Sequence, residues 1–173
     1  MNSLEICQLG NPILRQIAEP ITEISQPEIQ QLIDQMLELT FLSKGMGLAA
    51  PQIGRSLQIL IIASHPNVRY PYAPQMSPTA LINPQIISHS QTEVKGWEGC
   101  LSVPGLRGMI PRFEMVEVSY SDRQGRSILQ SFTDFVARIF QHEYDHLQGK
   151  VFLDRLESNL DLYTEAEFLK RLS

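Results

Sequence analysis

The sequence predicts an α+β protein, in which short strands combine with an N-terminal helix and a central helix. Two stretches place apolar residues at helical spacings of three and four, one from Pro27 onward and one over roughly 134–148. Between them, shorter stretches alternate or run continuously in apolar residues, and turn residues separate them. No linker divides these elements, so we expect a single domain over residues 1–173.

The first helix is preceded by a short extended segment and a turn. Residues 4–9 predict the extended segment, and residues 10–12, Gly-Asn-Pro, predict the turn. Proline is tolerated in the first turn of a helix, so the helix is expected to begin at Pro27. Its apolar face is formed by residues spaced by three and four: Ile29, Leu32, Ile33, Met36, Leu37 and Phe41. Gly45 and Gly47 are expected to end the segment.

The middle of the chain predicts strands on either side of a loop. Residues 57–63 form an apolar run of strand length, which indicates a buried strand. Residues 64–79 hold four prolines together with Ser and Asn, so we expect a surface loop and assign it no catalytic role. Residues 80–82 and 85–88 then predict two short strands, broken at Asn83-Pro84.

The last predicted elements are a hairpin and the central helix. Residues 115–121 alternate apolar and polar side chains, and the turn at residues 122–125 leads to a partner strand near 127–132. Thr133 is the predicted N-cap of the central helix, and Gly149 is the predicted residue that ends it.

Composition excludes several classes of protein. A content of 43% hydrophobic and 19% charged residues is typical of an ordinary globular protein. The formal charge of −5, from 14 basic and 19 acidic residues, offers no broad basic surface for nucleic acid. No apolar run is long enough to span a bilayer and the first residues lack a signal-peptide pattern, so we expect a cytoplasmic protein without a membrane partner. We also expect a monomer. Two cysteines form no disulfide framework, which indicates a reducing compartment.

The central helix carries the most informative motif, Gln-His-Glu-Tyr-Asp-His, which begins at Gln141. His142 and His146 are four residues apart, so they lie one above the other on one helix face. Two such imidazoles can bind one metal ion, while Glu143 can reach a water on that ion. The alternative is that each imidazole only forms hydrogen bonds within the core. The paired spacing around a glutamate favours the metal.

A third metal ligand has to come from outside this helix. Cys100 lies in the glycine-rich stretch 96–105, and a thiolate with two imidazoles leaves one position open for water, as in catalytic metal centres. A carboxylate after the helix, Glu165 or Glu167, is the alternative ligand. The other cysteine, Cys7, is expected to be a small buried apolar residue.

Three segments together resemble the signature motifs of the peptide deformylases. They are Gly-Met-Gly-Leu-Ala-Ala-Pro-Gln at 45–52, Glu-Gly-Cys-Leu-Ser at 98–102 and Gln-His-Glu-Tyr-Asp-His at 141–146, in that family's order and at similar separations. Leu14-Arg15 and residues 152–156 extend the similarity to nearly the whole chain. The resemblance implies a hydrolase that removes the formyl group from the N-terminal formylmethionine of newly made polypeptides and releases formate. It also implies antiparallel β-sheets around the helix that carries both histidines.

The resemblance also implies a role for each motif residue. It implies three metal ligands: Cys100, His142 and His146. The native metal is then expected to be Fe²⁺, although these ligands also suit Zn²⁺, Ni²⁺ and Co²⁺. Glu143 is implied to be the general acid–base that serves a metal-bound hydroxide. Gln52 and the backbone N–H of Leu101 are implied to face the formyl oxygen, where one such donor is worth about 10²–10³ in rate.

The substrate pocket is expected beside the metal. Formyl is the smallest acyl group, so the site can be narrow, and Gly47 and Gly99 would let the backbone approach closely. The methionine side chain needs an apolar pocket, for which three residues are candidates: Met46, Phe135 and Ile139. Arg138 could lie at the rim and contact the peptide, or it could be a solvated surface charge. Glu98 and Arg112 could form a pair that holds the cysteine loop.

Two features depart from the family pattern. The loop at 64–79 is an addition. The tail after His146 is short, so the ribosome contact that longer relatives make through a C-terminal extension is not implied for this chain.

Two rival functions also fit part of the pattern. A metallopeptidase would use both histidines with a downstream carboxylate, and Glu143 would again be the base. A non-catalytic module that binds a metal or formyl-peptides would have no need of Glu143.

Overall fold

The computed structural model describes residues 5–171, in which two antiparallel sheets pack against one central helix. Besides four short 3₁₀ helices, three α-helices occur in this part of the chain: α1 (Pro27–Leu42), α2 (Asp134–Leu147) and α3 (Glu165–Leu169). Eight strands occur there: β1 (Gly47–Ala49), β2 (Ile59–Ile62), β3 (Thr79–His89), β4 (Glu93–Cys100), β5 (Val103–Phe113), β6 (Met115–Ser121), β7 (Ser127–Thr133) and β8 (Leu162–Thr164). Within residues 5–171, no helix has the length and apolar character needed to cross a bilayer.

The strands form a five-stranded sheet in the order β1-β2-β3-β6-β7 and a three-stranded sheet in the order β4-β5-β8. Every neighbouring pair is antiparallel. Helix α2 contains the complete Gln-His-Glu-Tyr-Asp-His motif. The predicted α+β class, with antiparallel sheets around this helix, is confirmed.

The five-stranded sheet is covered by a helix on each face. Helix α2 packs its buried residues against one face, where Leu60 and Ile62 of β2 contribute to the core. Helix α1 packs on the other face, together with Ile59 and Ile61. Strand β2 is therefore buried on both sides, which explains why it appears in the sequence as a continuous apolar run.

Helix α1 begins at Pro27 as predicted, but the prediction that Phe41 belongs to its buried apolar face is wrong. Phe41 is 81% exposed, whereas Thr40 is 1% exposed and its hydroxyl donates to the carbonyl of Met36 at 2.7 Å. Successive helical residues are rotated by about 100°, so Thr40 continues the buried stripe from Ile33 and Met36 while Phe41 turns away from it.

The two short strands predicted on either side of Asn83-Pro84 form the single strand β3. Asn83 adopts a left-handed φ of 49°, and the register with β6 shifts between Ile82 and Gln85. The Asn83 side chain also accepts from the Ile21 N–H at 2.8 Å and donates to the Ile21 carbonyl at 2.7 Å. Asparagine tolerates this conformation, so the strand passes through an irregularity where the sequence indicates a break.

The glycines and the proline of the stretch 96–105 are residue types common in turns, yet most of the stretch belongs to the strands of the β4–β5 hairpin, and Cys100 ends β4. Three glycines of the hairpin, Gly96, Gly99 and Gly108, lie where a larger side chain crosses it, whereas Gly105 has a φ of 77° and no atom within 4 Å of a Cβ. A Cβ at Gly96 would lie 2.8 Å from the Arg138 guanidinium, and one at Gly108 would lie 2.9 Å from the Phe152 ring. These glycines reflect long-range packing, which a local turn prediction does not detect.

Some of the remaining predictions are confirmed and others are not. Residues 5–9 of the predicted extended segment belong to no helix or strand, although Cys7 and Leu9 donate backbone hydrogen bonds to Gln52 and Ser102, and residue 4 lies outside the described part. Cys7 is half-buried instead of buried. Thr133 is the N-cap residue of α2, as predicted, although its side chain makes no capping hydrogen bond. Gly149 follows the helix with a φ of 69°, as its predicted role requires.

Candidate active site

The two predicted histidines and the predicted cysteine come together. His142 and His146 project from α2, and Cys100 approaches from the end of β4, so that the ligand atoms of all three lie within 4.8 Å of one another. The Cys100 Sγ lies 3.3 Å from the His146 Nε2. Among the described residues, this is a group that could hold a metal ion.

The His142 ring is oriented by a buried carboxylate. Its Nδ1 donates to Glu98 Oε2 at 2.8 Å, which leaves Nε2 available to a metal. Arg112 donates from Nε to Glu98 Oε1 at 2.9 Å and from its second amino group to Oε2 at 3.0 Å. The predicted Glu98–Arg112 pair is therefore confirmed. Arg112 fixes the Glu98 carboxylate, which in turn binds the candidate ligand His142.

This pair extends into a larger buried network. Arg112 also donates to Asp145 at 2.6 Å, and Arg155 donates to the same carboxylate at 2.6 Å. Burial by itself would raise the pKa of Glu98, but the Arg112 charge and the bonds from His142 and Arg112 hold that pKa well below its usual range. Glu98 therefore stays ionised, as an acceptor of the His142 N–H must.

The donor set fits a divalent transition metal. Burial would raise the pKa of the Cys100 thiol, but the charge of His146 and hydrogen bonds with both imidazoles lower it well below its ordinary value. The thiolate is the form of cysteine that binds metals. The alternative ligands are engaged elsewhere, because Glu165 accepts from Arg107 at 2.9 Å and Glu167 accepts from Lys170 at 2.6 Å. A thiolate and two imidazoles suit zinc, iron, nickel or cobalt.

Glu143 is a buried carboxylate beside this group. It is 5% exposed, and burial raises its pKa to about 7. Its Oε2 is buried and has no hydrogen-bond partner among the described residues. A Cβ at Gly47 would lie 2.6 Å from Glu143 Oε1, so only glycine leaves room for this carboxylate. A carboxyl group that titrates near neutral pH can both accept and return a proton.

Gln52 and Leu101 lie next to Cys100. Gln52 is 2% exposed, and its Oε1 accepts from the Ala49 N–H at 2.8 Å. Its Nε2 lies 3.4 Å from the Cys100 Sγ and 3.3 Å from the Ser102 hydroxyl, so the donor end of the amide points toward the candidate ligand. Leu101 follows Cys100 in the hairpin turn and lines the same cavity as Gln52.

A cavity of about 270 Å³ opens beside these residues. The six residues predicted for the substrate pocket all line it: Met46, Gly47, Gly99, Phe135, Arg138 and Ile139. Arg138 is not a solvated surface charge, because its side chain is only 11% exposed and donates to Glu98 at 2.9 Å. The close approach at Gly99 is to the Arg107 guanidinium, so this glycine makes room for a protein side chain.

The loop at 64–79 also lines this cavity, which the sequence interpretation missed. Asn67, Arg69 and Tyr70 belong to the cavity wall. Tyr70 is 8% exposed, its hydroxyl donates to the Trp97 carbonyl at 3.3 Å, and its ring packs 4.9 Å from the Phe135 ring. The prolines indicate a surface loop, and the sequence does not distinguish the buried Tyr70 from Tyr72, which is 68% exposed.

Comparison with known proteins identifies the family. The polypeptide deformylase family model matches residues 3–161. The chain belongs to the peptide deformylase family. Peptide deformylase 2 of Nostoc sp. is 55% identical over 165 residues, which cover 95% of this chain and 92% of the relative.

Solved deformylase structures agree with this assignment. A class I type b peptide deformylase from Acinetobacter baumannii with Met-Ala-Ser bound has 42% identity and a TM-score of 0.87, and the match covers 88% of this chain and 98% of that one. A Synechococcus elongatus deformylase in complex with actinonin has 38% identity and a TM-score of 0.82, over 93% of this chain and 82% of that one. As a peptide deformylase, the chain is a metal-dependent hydrolase of N-formyl groups, with Cys100, His142 and His146 as its candidate metal site.

Gly47→Ala is expected to lower the rate of formate release by about 10²-fold. The new methyl group would displace the Glu143 carboxylate, and a catalytic group misplaced by about 1 Å can reduce a rate by about this factor. Metal content should stay unchanged. Gly45→Ala is the control, since the nearest atoms to its methyl group would be the Ser43 hydroxyl at 3.2 Å and the Gly47 carbonyl oxygen at 3.3 Å, not the Glu143 carboxylate. Formate release per bound metal measures the effect. A Gly47→Ala rate equal to that of Gly45→Ala would contradict the steric argument.

Proposed function

We propose that this chain removes the formyl group from the N-terminal formylmethionine of nascent polypeptides, with Cys100, His142 and His146 as the ligands of one Fe²⁺ ion. The observation that carries the proposal is the cluster of one thiol and two imidazoles, within 4.8 Å of one another, with the buried Glu143 next to it. Three protein ligands with a free carboxylate nearby are typical of a catalytic metal centre, not of a structural one.

Glu143 is the proposed acid–base. When bound, the metal polarises the formyl oxygen and brings the pKa of a coordinated water toward neutrality. Glu143 takes the proton from the attacking water and then passes it to the amine nitrogen as the carbon–nitrogen bond breaks, which releases formate and a free amine. Burial raises the pKa of Glu143 in the metal-free protein, and a bound cation would lower it again, which favours the carboxylate form that accepts the first proton.

Gln52 and Leu101 are the proposed donors to the formyl oxygen. Attack on the formyl carbon places negative charge on this oxygen, and fixed donors stabilise that charge. The Gln52 Oε1 is occupied by the Ala49 N–H at 2.8 Å, which orients the amide so that Nε2 faces the site. The backbone N–H of Leu101 is the proposed second donor.

Met46, Phe135 and Ile139 are proposed to hold the methionine side chain of the substrate. All three line the cavity beside the candidate metal ligands. Gly47 belongs to the same wall, while Gly99 contributes by making room for Arg107. The Acinetobacter baumannii deformylase with Met-Ala-Ser bound supports a peptide ligand of this kind.

The proposed setting is the bacterial cytoplasm, where one domain over residues 1–173 acts as a monomer on formylated chains, with at most a transient ribosome contact. The bacterial source of the relatives supports this proposal.

If Fe²⁺ is the native metal, activity of the iron form is expected to decay in air. Oxygen would oxidise Fe²⁺ to Fe³⁺, and oxidation of the Cys100 thiolate would also damage the site. A reductant or replacement with Ni²⁺ should preserve the activity. Formate release during aerobic storage, compared between iron- and nickel-loaded samples, measures this. An iron form that keeps its full activity in air would contradict iron as the labile native metal.

The reaction itself is tested with formyl-Met-Ala-Ser. We expect formate and Met-Ala-Ser as the products, with every peptide bond intact. Mass spectrometry of the peptide and an enzymatic formate assay measure the two products. Cleavage of a peptide bond without formate would support the metallopeptidase alternative and contradict the proposal.

A further inference from the structure

We propose that Arg138 is a positioning residue, which fixes His142 through the shared carboxylate of Glu98 and braces α2 against the hairpin of β4 and β5. This inference rests on the proposed metal site. It gives Arg138 a role beyond the substrate contact that the sequence indicates.

Arg138 and His142 bind opposite oxygens of one carboxylate. They are four residues apart on α2 and therefore lie on the same helix face. Arg138 donates to Glu98 Oε1 at 2.9 Å, and His142 Nδ1 donates to Glu98 Oε2 at 2.8 Å. Arg112 donates to both oxygens, at 2.9 and 3.0 Å. These four hydrogen bonds fix the Glu98 carboxylate in one orientation, and the carboxylate in turn fixes the His142 imidazole.

Arg138 also ties α2 to both strands of the hairpin. Its guanidinium donates to the carbonyls of Val94 at 2.5 Å and Gly96 at 3.3 Å in β4, and of Ile110 at 2.8 Å in β5. Gly96 leaves the space for it, since a Cβ there would lie 2.8 Å from the guanidinium carbon. The thiol ligand comes from β4 and the imidazoles come from α2, so this side chain joins the two elements whose separation sets the metal geometry.

Arg112 cannot replace this brace. Arg112 divides its donors between Glu98 and Asp145, the latter at 2.6 Å, and it belongs to β5 itself. Without Arg138, Glu98 Oε1 would keep only Arg112, and three hairpin carbonyls would lose their link to α2. A lysine keeps the positive charge but lacks the planar set of donors that reaches four acceptors at once.

The test measures Co²⁺ binding by the wild type, Arg138→Lys and Arg138→Met, through competition with a chelator and through the cobalt absorption spectrum. Both variants are expected to bind Co²⁺ about tenfold more weakly, the lower end of the loss typical for residues that hold metal ligands. Their ligand-field bands should also shift. Arg123→Met is the control, because Arg123 pairs with Asp34 at 2.9 Å and does not touch Glu98. It should keep wild-type affinity.

Three results would overturn the proposal. Unchanged affinity and spectrum in both variants would do so, even with a lower melting temperature of the metal-free protein, because that pattern indicates a purely structural role. If Arg138→Lys binds Co²⁺ with wild-type affinity and Arg138→Met does not, the positive charge at residue 138 would explain the loss, and the bracing role of the guanidinium donors would be wrong. A wild type that binds no Co²⁺ would contradict the metal site itself, and with it the proposed function. If Arg138→Met does not fold, Arg138→Lys decides the question.

Discussion

Glu143→Ala is expected to lower the rate of formate release from formyl-Met-Ala-Ser by about 10²–10⁴-fold, the range that general acid–base groups contribute. The alanine cannot take the proton from water or return it to the amine. Metal content should remain at the wild-type level, since Glu143 does not belong to the group of candidate ligands. Single-turnover formate release and metal analysis of the same sample measure both quantities.

The control for this variant is Glu117→Ala, which removes a carboxylate on β6 that contacts only Ser88 among the hydrogen bonds of the described residues. Its rate should match that of the wild type. Equal formate release by Glu143→Ala and the wild type would discredit the catalytic role of Glu143. A non-catalytic binding module would be the better description only if neither protein released formate.

Cys100→Ser is expected to have an equally large effect, but on metal binding. The serine hydroxyl is a poor substitute for a thiolate, so affinity should fall by more than the 10–100-fold typical for residues that only hold a ligand. Formate release should fall with metal content. Metal analysis after dialysis, with formate release on the same samples, measures the change.

Cys7→Ser is the matched control, because Cys7 is the other cysteine, is also half-buried and lies outside the ligand group. It should keep both metal and activity. The metallopeptidase alternative makes the opposite prediction for Cys100→Ser, since its third ligand is a carboxylate. A Cys100→Ser protein that retains its metal would therefore favour that alternative.

Local periodicity was enough to predict the helical half of the site. The spacing of His142 and His146 defines a helix face wherever the helix packs, and α2 confirms the predicted boundaries closely. The same argument predicted β2, because four consecutive buried residues need an apolar run. Cys100 is 42 residues before His142, so no periodicity could place it. Its glycine-rich surroundings suggested it as a ligand beside the carboxylate alternatives, and the family resemblance decided between them.

The parts that were missed depend on contacts between distant segments. Gly96 and Gly99 indicate turns in the sequence, yet each lies in β4 beneath an arginine from another element. Arg138 belongs to the buried network because Glu98 balances its charge, and that partner is 40 residues away. Tyr70 packs into the cavity wall through its contacts with Trp97 and Phe135. Each of these positions depends on a partner that only the folded chain brings near.

Anomalous diffraction from crystals of the zinc-loaded wild type tests the account most directly. We predict one peak, about 2.3 Å from the Cys100 Sγ and about 2.0–2.1 Å from the Nε2 atoms of His142 and His146, with a water as the fourth neighbour. A peak bonded to both imidazoles and a carboxylate, with the Cys100 Sγ turned away, would contradict it.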